Sequence, residues 1–163
     1  MGEVAVAIVE QFLLLTDASL EVQIFPHVRV DGDSLGSSAA MAMALRTLHI
    51  NTKIYMDETV PERLEFIGVE PELFEIFDQN KLEDYKKMQG IALAIDCSEA
   101  GRMGRSGSLF ANADKCLVID HHISSGPSHG LRYIEPKAAA AAELVMKLME
   151  LIDQTVREDQ SRG

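Results

Sequence analysis

Three mostly apolar runs of this 163-residue chain end in carboxylates or imidazoles. The runs and the groups that follow them are 22–25 with His27, 91–95 with Asp96, and 116–119 with Asp120, His121 and His122. Short apolar runs of this kind are typical of strands buried in a parallel sheet. Because open α/β sheets keep their ligand sites at the carboxyl ends of the strands, the three polar ends are predicted to meet in one metal centre.

The fold class follows from the alternation of helical and extended patterns along the chain. Helices are predicted over 3–16, 34–48, 61–67 and 137–153, and strands over 21–26, 51–56, 91–95, 116–119 and, as an edge strand, 131–134. The charged segment 68–90 is expected to form short surface helices. This alternation predicts an α/β fold, a three-layer sandwich whose mainly parallel sheet is covered by helices on both faces.

Length and composition favour one cytoplasmic domain. No apolar run reaches the roughly 18 residues that a membrane-spanning helix needs, and the apolar start of the chain has no Lys or Arg ahead of it, unlike a signal peptide. The two cysteines, Cys97 and Cys116, are too few for a disulfide framework and are expected to be reduced and buried.

The charge balance limits the partners. Acidic residues outnumber basic ones by 26 to 15, and the net charge is −11. Tight nonspecific binding to long duplex DNA depends on many phosphate contacts from basic residues, so such DNA is not an expected partner. Short or small phosphorylated molecules stay open, because divalent metals can invert the preference of a local acidic cluster.

The segment after the first strand has two carboxylates around a glycine. Gly32 allows an unusual backbone angle, so Asp31 and Asp33 can both point into one cleft. The helix predicted from residue 34 would place free N–H groups near Gly36 and Ser37, where an anion could bind. An EF-hand is excluded because no closing Glu follows at the required spacing. Taken alone, the segment is also compatible with an acidic turn that caps a helix.

Ligand chemistry indicates the class of metal. Carboxylate and imidazole ligands without thiolates favour Mn²⁺ or Mg²⁺, with Zn²⁺, Fe²⁺ and Co²⁺ as alternatives. The neighbouring groups are less specific. Arg102 suits either a phosphate contact or a solvated surface position, and His129, in a loop rich in Gly, Pro and Ser, is a weaker phosphate candidate.

In this order, the motifs resemble those of the DHH phosphoesterase superfamily. They are His27-x-x-x-Asp31-x-Asp33, then Asp96, then Asp120-His121-His122. The longer strings from 27 to 37 and from 96 to 102 look most like the RecJ-like branch of nano-RNases, the bifunctional oligoribonucleases and pAp phosphatases. The resemblance spans about 22–150, nearly the whole chain.

This resemblance implies a hydrolase that uses two metal ions, usually Mn²⁺, with Mg²⁺ as an alternative. It implies that one ion is held by His27, Asp31 and Asp96, and the other by Asp33, Asp96 and His121. It also implies that His122 faces the substrate phosphate and the leaving oxygen, and that Asp120 orients the histidines. Arg102 and the helix start near Gly36 and Ser37 would contact the substrate.

The resemblance is incomplete at the C-terminal end. The family's fourth motif, an Asp that completes the shell of the second metal, has no counterpart before Gly163, and neither has the second domain with its Gly-Gly-His loop. Residues 1–156 are therefore expected to be a DHH catalytic domain truncated before that motif, and 157–163 a disordered tail. Weak binding of the second ion and poor turnover are expected.

The expected function is metal-dependent hydrolysis of phosphodiesters or phosphomonoesters. The expected substrates are short oligonucleotides or pAp-like nucleotides; no membrane partner is expected, and a homodimer is compatible with the sequence. Two alternatives stay open. One is a pyrophosphatase-like or cyclic-dinucleotide-cleaving enzyme, and the other is a noncatalytic module that binds nucleotide or metal.

Overall fold

A six-stranded parallel sheet forms the middle layer of the molecule. The computed structural model describes residues 2–123 and 130–163. The strands are β1 (Glu21–Phe25), β2 (Thr52–Met56), β3 (Phe74–Ile76), β4 (Gln89–Ile95), β5 (Cys116–Asp120) and β6 (Leu131–Ile134). Their order across the sheet is β3-β2-β1-β4-β5-β6, and every neighbouring pair is parallel. The predicted edge strand at 131–134 is confirmed.

Helices cover both faces of the sheet. They are α1 (Gly2–Leu14), α2 (Gly32–Thr47), α3 (Leu82–Met88), α4 (Gly107–Ala111) and α5 (Ala141–Arg162), with short 3₁₀ turns at 62–67, 71–73, 79–81, 100–102 and 104–106. Side chains of a strand alternate between the faces. Ile24 therefore packs in the cluster that holds α1, α2 and α5, whereas its neighbour Phe25 packs in the cluster with Phe110 of α4 and Tyr85 of α3. The three-layer α/β sandwich is confirmed.

The strand order places a switch point at β1. From β1 the chain moves outward through β2 to β3 on one side, and then returns to add β4, β5 and β6 on the other. Loops that leave β1 and β4 in opposite directions open a crevice at their carboxyl ends, where ligands bind in sheets of this type. His27 and Asp96 follow β1 and β4, and Asp120 is the last residue of β5.

The start of α2 and the presence of β3 differ from the sequence prediction. Helix α2 begins at Gly32 and not at residue 34, because the Asp31 side chain caps it by accepting from the Ser34 amide. Strand β3 was not predicted, since its three residues lie in a segment rich in charge. It pairs with β2 at the edge of the sheet.

The last helix is longer than predicted and begins later. It starts at Ala141 and runs to Arg162, so the predicted disordered tail at 157–163 is wrong. Contacts between side chains four residues apart support this part of the helix. Arg157 pairs with Asp153, and Gln154 donates to Glu158.

Within residues 2–123 and 130–163, no helix is long and apolar enough to cross a lipid bilayer.

Candidate metal centre

Asp96 lies at the centre of the polar cluster. It follows β4, is only 2% exposed, and has a left-handed backbone with φ of 60°. Its Oδ1 atom has no hydrogen-bond partner among the residues that the structure describes. A buried polar atom without a partner costs about 1–3 kcal/mol, and more if it is charged. A strained backbone and an unpaired oxygen at one residue are typical of a functional site.

His27 faces this carboxylate with one ring nitrogen and the backbone with the other. Its Nε2 lies 3.5 Å from Asp96 Oδ2 and 3.8 Å from Asp31 Oδ2. Its Nδ1 is 2.7 Å from the Val28 carbonyl oxygen, which can only accept, so Nδ1 carries the hydrogen. The neutral ring therefore presents a free lone pair at Nε2, as a metal-bound imidazole does.

The carboxylates around His27 stabilise the charged form of its ring. Its pKa is raised above the ordinary value, chiefly because the ring faces the Asp96 carboxylate, although burial opposes the shift. In this arrangement a proton on His27 partly neutralises the carboxylates that a metal ion would otherwise neutralise.

The end of β5 supplies a pair of adjacent histidines, and the Asp120 carboxylate contacts both. Asp120 is 1% exposed, and its Oδ1 accepts from the backbone amides of His121 and His122 at 2.8 and 3.2 Å. The same oxygen lies 2.7 Å from His122 Nδ1. The Asp120 carboxylate thus fixes the His122 ring with Nδ1 protonated and leaves Nε2 on the half-exposed side.

His121 points toward the centre. Its Nε2 lies 3.3 Å from Asp96 Oδ1 and 3.7 Å from Asp33 Oδ2. The two histidine rings lie against each other, with centroids 4.2 Å apart. The His121 ring therefore faces Asp33 and Asp96, whereas the His122 ring makes its shortest contact with Asp120.

Asp33 has a structural role that the sequence did not indicate. Its Oδ2 accepts from the Ala141 amide and its Oδ1 from the Ala142 amide, both at 2.9 Å. These are first-turn amides of α5, whose own preceding residue, Ala140, provides no side-chain cap. The Asp33 carboxylate thus caps a helix more than a hundred residues away and also borders the cluster through His121.

The side chains fit divalent cations. Ligand atoms of His27, Asp31 and Asp96 lie within 4.8 Å of one another, and so do those of Asp96, Asp120, His121 and His122. Asp96 belongs to both groups, and its unpaired Oδ1 is the kind of oxygen that a cation would satisfy. Oxygen and imidazole ligands suit Mn²⁺ and Mg²⁺, with Zn²⁺ also compatible.

The structure does not bring the predicted substrate-binding residues together as it does the metal-ligand candidates. Gly36 and Ser37 lie in the second turn of α2 because the helix begins at Gly32, so their amides are not first-turn groups as the sequence analysis expected. The Ser37 hydroxyl donates to the Asp33 carbonyl oxygen. Arg102 is exposed, and its carbonyl oxygen accepts from the Val28 amide at 2.7 Å. His129 lies outside the described residues.

Backbone groups are the part of the site that the motifs did not indicate. The Val28 carbonyl orients His27, and the Ala141 and Ala142 amides engage Asp33. No side-chain pattern marks such groups. The cysteines are as predicted, since neither forms a disulfide and both are buried, and burial raises the pKa of each thiol to about 11.

Comparison with known proteins agrees with this arrangement. Residues 21–162 match the DHH family, N-terminal domain. The chain belongs to the DHH family. All the ligand candidates described above lie within the matched range.

One relative by sequence is the bifunctional oligoribonuclease and PAP phosphatase NrnA of Bacillus subtilis (strain 168). The two are 28% identical over 124 residues, which is 75% of this chain and 36% of the relative. The DHH chain described here thus spans about a third of the length of that relative.

Solved structures share the fold. An exopolyphosphatase-related protein from Bacteroides fragilis superposes with a TM-score of 0.73 and 18% identity, over 88% of this chain and 44% of that one. Exonuclease RecJ bound to manganese gives a TM-score of 0.55 and 18% identity, over 91% and 37%. RecJ with Mn²⁺ from Thermus thermophilus gives 0.54 and 17%, over 91% and 21%.

Proposed function

We propose that this DHH domain is a divalent-metal-dependent phosphoesterase that hydrolyses short oligonucleotides or small nucleotides such as pAp. The observation that carries the proposal is the buried Asp96 carboxylate. Its Oδ1 has no hydrogen-bond partner among the described residues and lies 3.3 Å from the His121 imidazole, while its Oδ2 lies 3.5 Å from His27. The relative NrnA, by its name an oligoribonuclease and PAP phosphatase, supports the substrate class.

The proposed metal is Mn²⁺, because RecJ, which shares this fold, has been solved with manganese. His27, Asp31 and Asp96 would hold one ion. His121 and Asp96 would hold a second, with Asp33 as a further ligand. Bound divalent cations supply activation of water and neutralisation of charge on the phosphate.

The residues of the chain contribute orientation and proton transfer. Asp120 holds the His122 ring through Nδ1–H, so Nε2 is the atom that faces a leaving oxygen. In its imidazolium form, with both nitrogens protonated, the ring can give the Nε2 proton to that oxygen and return to the neutral state. Asp120 is buried and accepts three N–H groups, and this fixes the His122 ring before substrate binds. Arg102 is proposed to contact a substrate phosphate. Gly36 and Ser37 are not, because their amides lie past the first turn of α2 and Ser37 is buried.

A substrate panel tests the proposal. The chain and its Asp96→Asn variant would be assayed in Mn²⁺ with a dinucleotide, pAp and pyrophosphate. We expect release of mononucleotide or phosphate from the first two substrates, and loss of that activity in Asp96→Asn.

Two outcomes would contradict the proposal. Turnover of pyrophosphate alone would favour the pyrophosphatase-like alternative. Dinucleotide binding with no turnover above the Asp96→Asn level, in the presence of bound Mn²⁺, would favour a noncatalytic module.

A further inference from the structure

A cavity of about 180 Å³ adjoins the candidate metal centre. His27 lines it, and so do Val28, Arg29 and Val30, the residues between the ligand candidates His27 and Asp31. Pockets for drug-sized ligands are about 300–1,000 Å³, so this cavity suits a group the size of one nucleobase and excludes a dinucleotide. A molecule in this cavity would contact His27, which belongs to the first group of candidate metal ligands.

The walls combine apolar surface with few hydrogen-bonding groups. Val30, Met56 and Met103 are buried side chains of the wall, and Val28 is 41% exposed beside them. The polar groups come from the loop after β2, where Glu58 and Thr59 are exposed. A flat ring with polar edges matches such a surface, whereas a sugar would leave most of its hydroxyls unpaired.

The wall offers a ligand one open carboxylate and one guanidinium. Asp57 is engaged by Arg105, whose amide donates to both carboxylate oxygens and whose Nε lies 3.7 Å from Oδ1. The exposed Glu58 can accept from the N–H groups of a base, and Arg29 carries the one guanidinium of the wall. A wall with one charge of each sign and a largely apolar surface compensates a phosphate chain poorly for the water it would lose.

Arg29 is the wall residue suited to stacking. It is exposed, and within the described residues its guanidinium has no hydrogen-bond or ion-pair partner. Its backbone is left-handed, with φ of 56°. Guanidinium planes stack on unpaired bases in proteins that recognise single-stranded RNA.

The loop that carries Arg29 is held on both sides. The Val28 amide donates to the Arg102 carbonyl oxygen at 2.7 Å, and the Val30 carbonyl oxygen accepts from Arg63 Nη2 at 3.0 Å. A cavity with walls fixed in this way costs less to order on binding.

We propose that this cavity binds one nucleobase of the nucleotide whose phosphate lies at the metal centre, with Arg29 stacking on the base. The inference rests on the proposed function and assigns a place in the structure to the base of its nucleotide substrates. It distinguishes nucleotide substrates from inorganic polyphosphates.

The first test needs neither metal nor catalysis. Amide NMR spectra of the ¹⁵N-labelled chain would be recorded with adenosine and with guanosine, which carry no phosphate. We expect chemical-shift changes confined to the amides of 28–30, 57–59 and Met103.

A pair of variants controls for this result. Thr59→Trp would fill the rim of the cavity and should abolish the shift changes, whereas Thr47→Trp, exposed at the far end of α2, should retain them. Absence of shifts at these residues in the unmodified chain would overturn the proposal, whatever the result of the activity assays.

The second test uses the Mn²⁺-loaded chain and a pair of substrates, a dinucleotide and the same molecule without one base. We expect kcat/KM to favour the intact dinucleotide by roughly tenfold, the range that stacking of one base provides. The preference should fall in Thr59→Trp and in Arg29→Asn, a change that keeps the left-handed backbone accessible. Equal rates for the two substrates in the unmodified chain would overturn the base subsite while leaving phosphoesterase activity in place.

Arg29→Lys separates stacking from charge. Lysine retains the positive charge but lacks the planar guanidinium, so the preference for the intact dinucleotide should stay low. Full recovery of the preference in Arg29→Lys would overturn the stacking role.

Discussion

At the scale of single residues, Asp96 combines features that stability alone would not favour. A non-glycine residue with φ near 60° is uncommon, and here it also buries a carboxylate oxygen without a hydrogen bond among the described residues. Both features agree with a group placed to bind a cation. The neighbouring imidazoles of His27 and His121 lie at distances that a bound ion would bridge.

Asp96→Asn should therefore separate metal binding from stability. Mn²⁺ affinity should fall by at least about 100-fold, since even changes outside the ligand shell cost about 10–100-fold. In EDTA the variant should unfold at the same or a higher temperature, because the substitution removes a buried charge and Asn accepts a left-handed backbone. Calorimetric Mn²⁺ titration and thermal melting check the two parts.

The control for this variant is Asp153→Asn, which changes an exposed carboxylate of α5. Its Mn²⁺ affinity should equal that of the unmodified chain. Unchanged affinity in Asp96→Asn would contradict the assignment of this residue.

His122→Asn should reduce turnover without removing the metal. Loss of a positioned proton donor lowers rates by about 10²–10⁴-fold, while His27, Asp31 and Asp96 stay intact. His49→Asn is the matched control, because His49 is exposed at the end of α2, away from the carboxyl ends of the strands. Steady-state kcat with a dinucleotide, beside calorimetric Mn²⁺ binding, measures the effect. A kcat within twofold of the unmodified chain would rule out this role for His122.

At the scale of elements, α5 depends on a carboxylate of another helix. Asp33 lies in the first turn of α2 and accepts from both opening amides of α5. Removal of a helix cap costs about 1–2 kcal/mol. Asp33→Ala should therefore lower the free energy of unfolding by about that amount, with Asp159→Ala, at the exposed end of α5, as the control.

Hydrogen exchange localises this effect. The amides of Ala141 and Ala142 should exchange faster in Asp33→Ala, while those of the middle of α5 keep their protection. Unchanged exchange at the two alanines would show that the cap contributes nothing to α5.

The same contact predicts two unequal metal sites. His27, Asp31 and Asp96 leave ligand atoms facing one another, whereas Asp33 has both oxygens engaged by α5. Each Asp33 oxygen already accepts an amide N–H, so it is a weaker donor to the second ion than the Asp31 and Asp96 oxygens are to the first. Calorimetric Mn²⁺ titration should show one tight and one weak event, and two equally tight sites would contradict this.

Sequence patterns predicted the strands of the site but not the start of α5. The strands that carry the site were predictable, because the short apolar runs at 91–95 and 116–119 are typical of strands buried in a parallel sheet. The start of α5 was not. The run 138–142 consists of alanines and favours helix throughout, but the Asp33 carboxylate fixes the first turn at Ala141. That contact depends on chain segments far apart in sequence, and the backbone amides that make it have no sequence signature.

At the scale of the whole molecule, the sheet topology explains why distant motifs meet. The switch between β1 and β4 brings the carboxyl ends of both strands to one crevice, with β5 next to them. The ligand candidates that follow directly after strands could be predicted for this reason. The cavity beside His27 could not, because its walls come from three loops whose packing no local pattern encodes.

The topology also predicts where the substrate lies. The phosphate is expected over the ends of β1, β4 and β5, and the base in the cavity toward the loop after β2. In this arrangement the cleaved bond faces His122 and the base lies on the far side of His27.

The central claim is that Asp96 anchors a divalent-metal centre with His27, Asp31 and His121. The most direct measurement is an anomalous difference map from crystals of the chain grown or soaked in Mn²⁺. We expect a strong peak in contact with Asp96, His27 and Asp31, and a weaker one between Asp96 and His121. Peaks only at other surface carboxylates, with none beside Asp96, would contradict it.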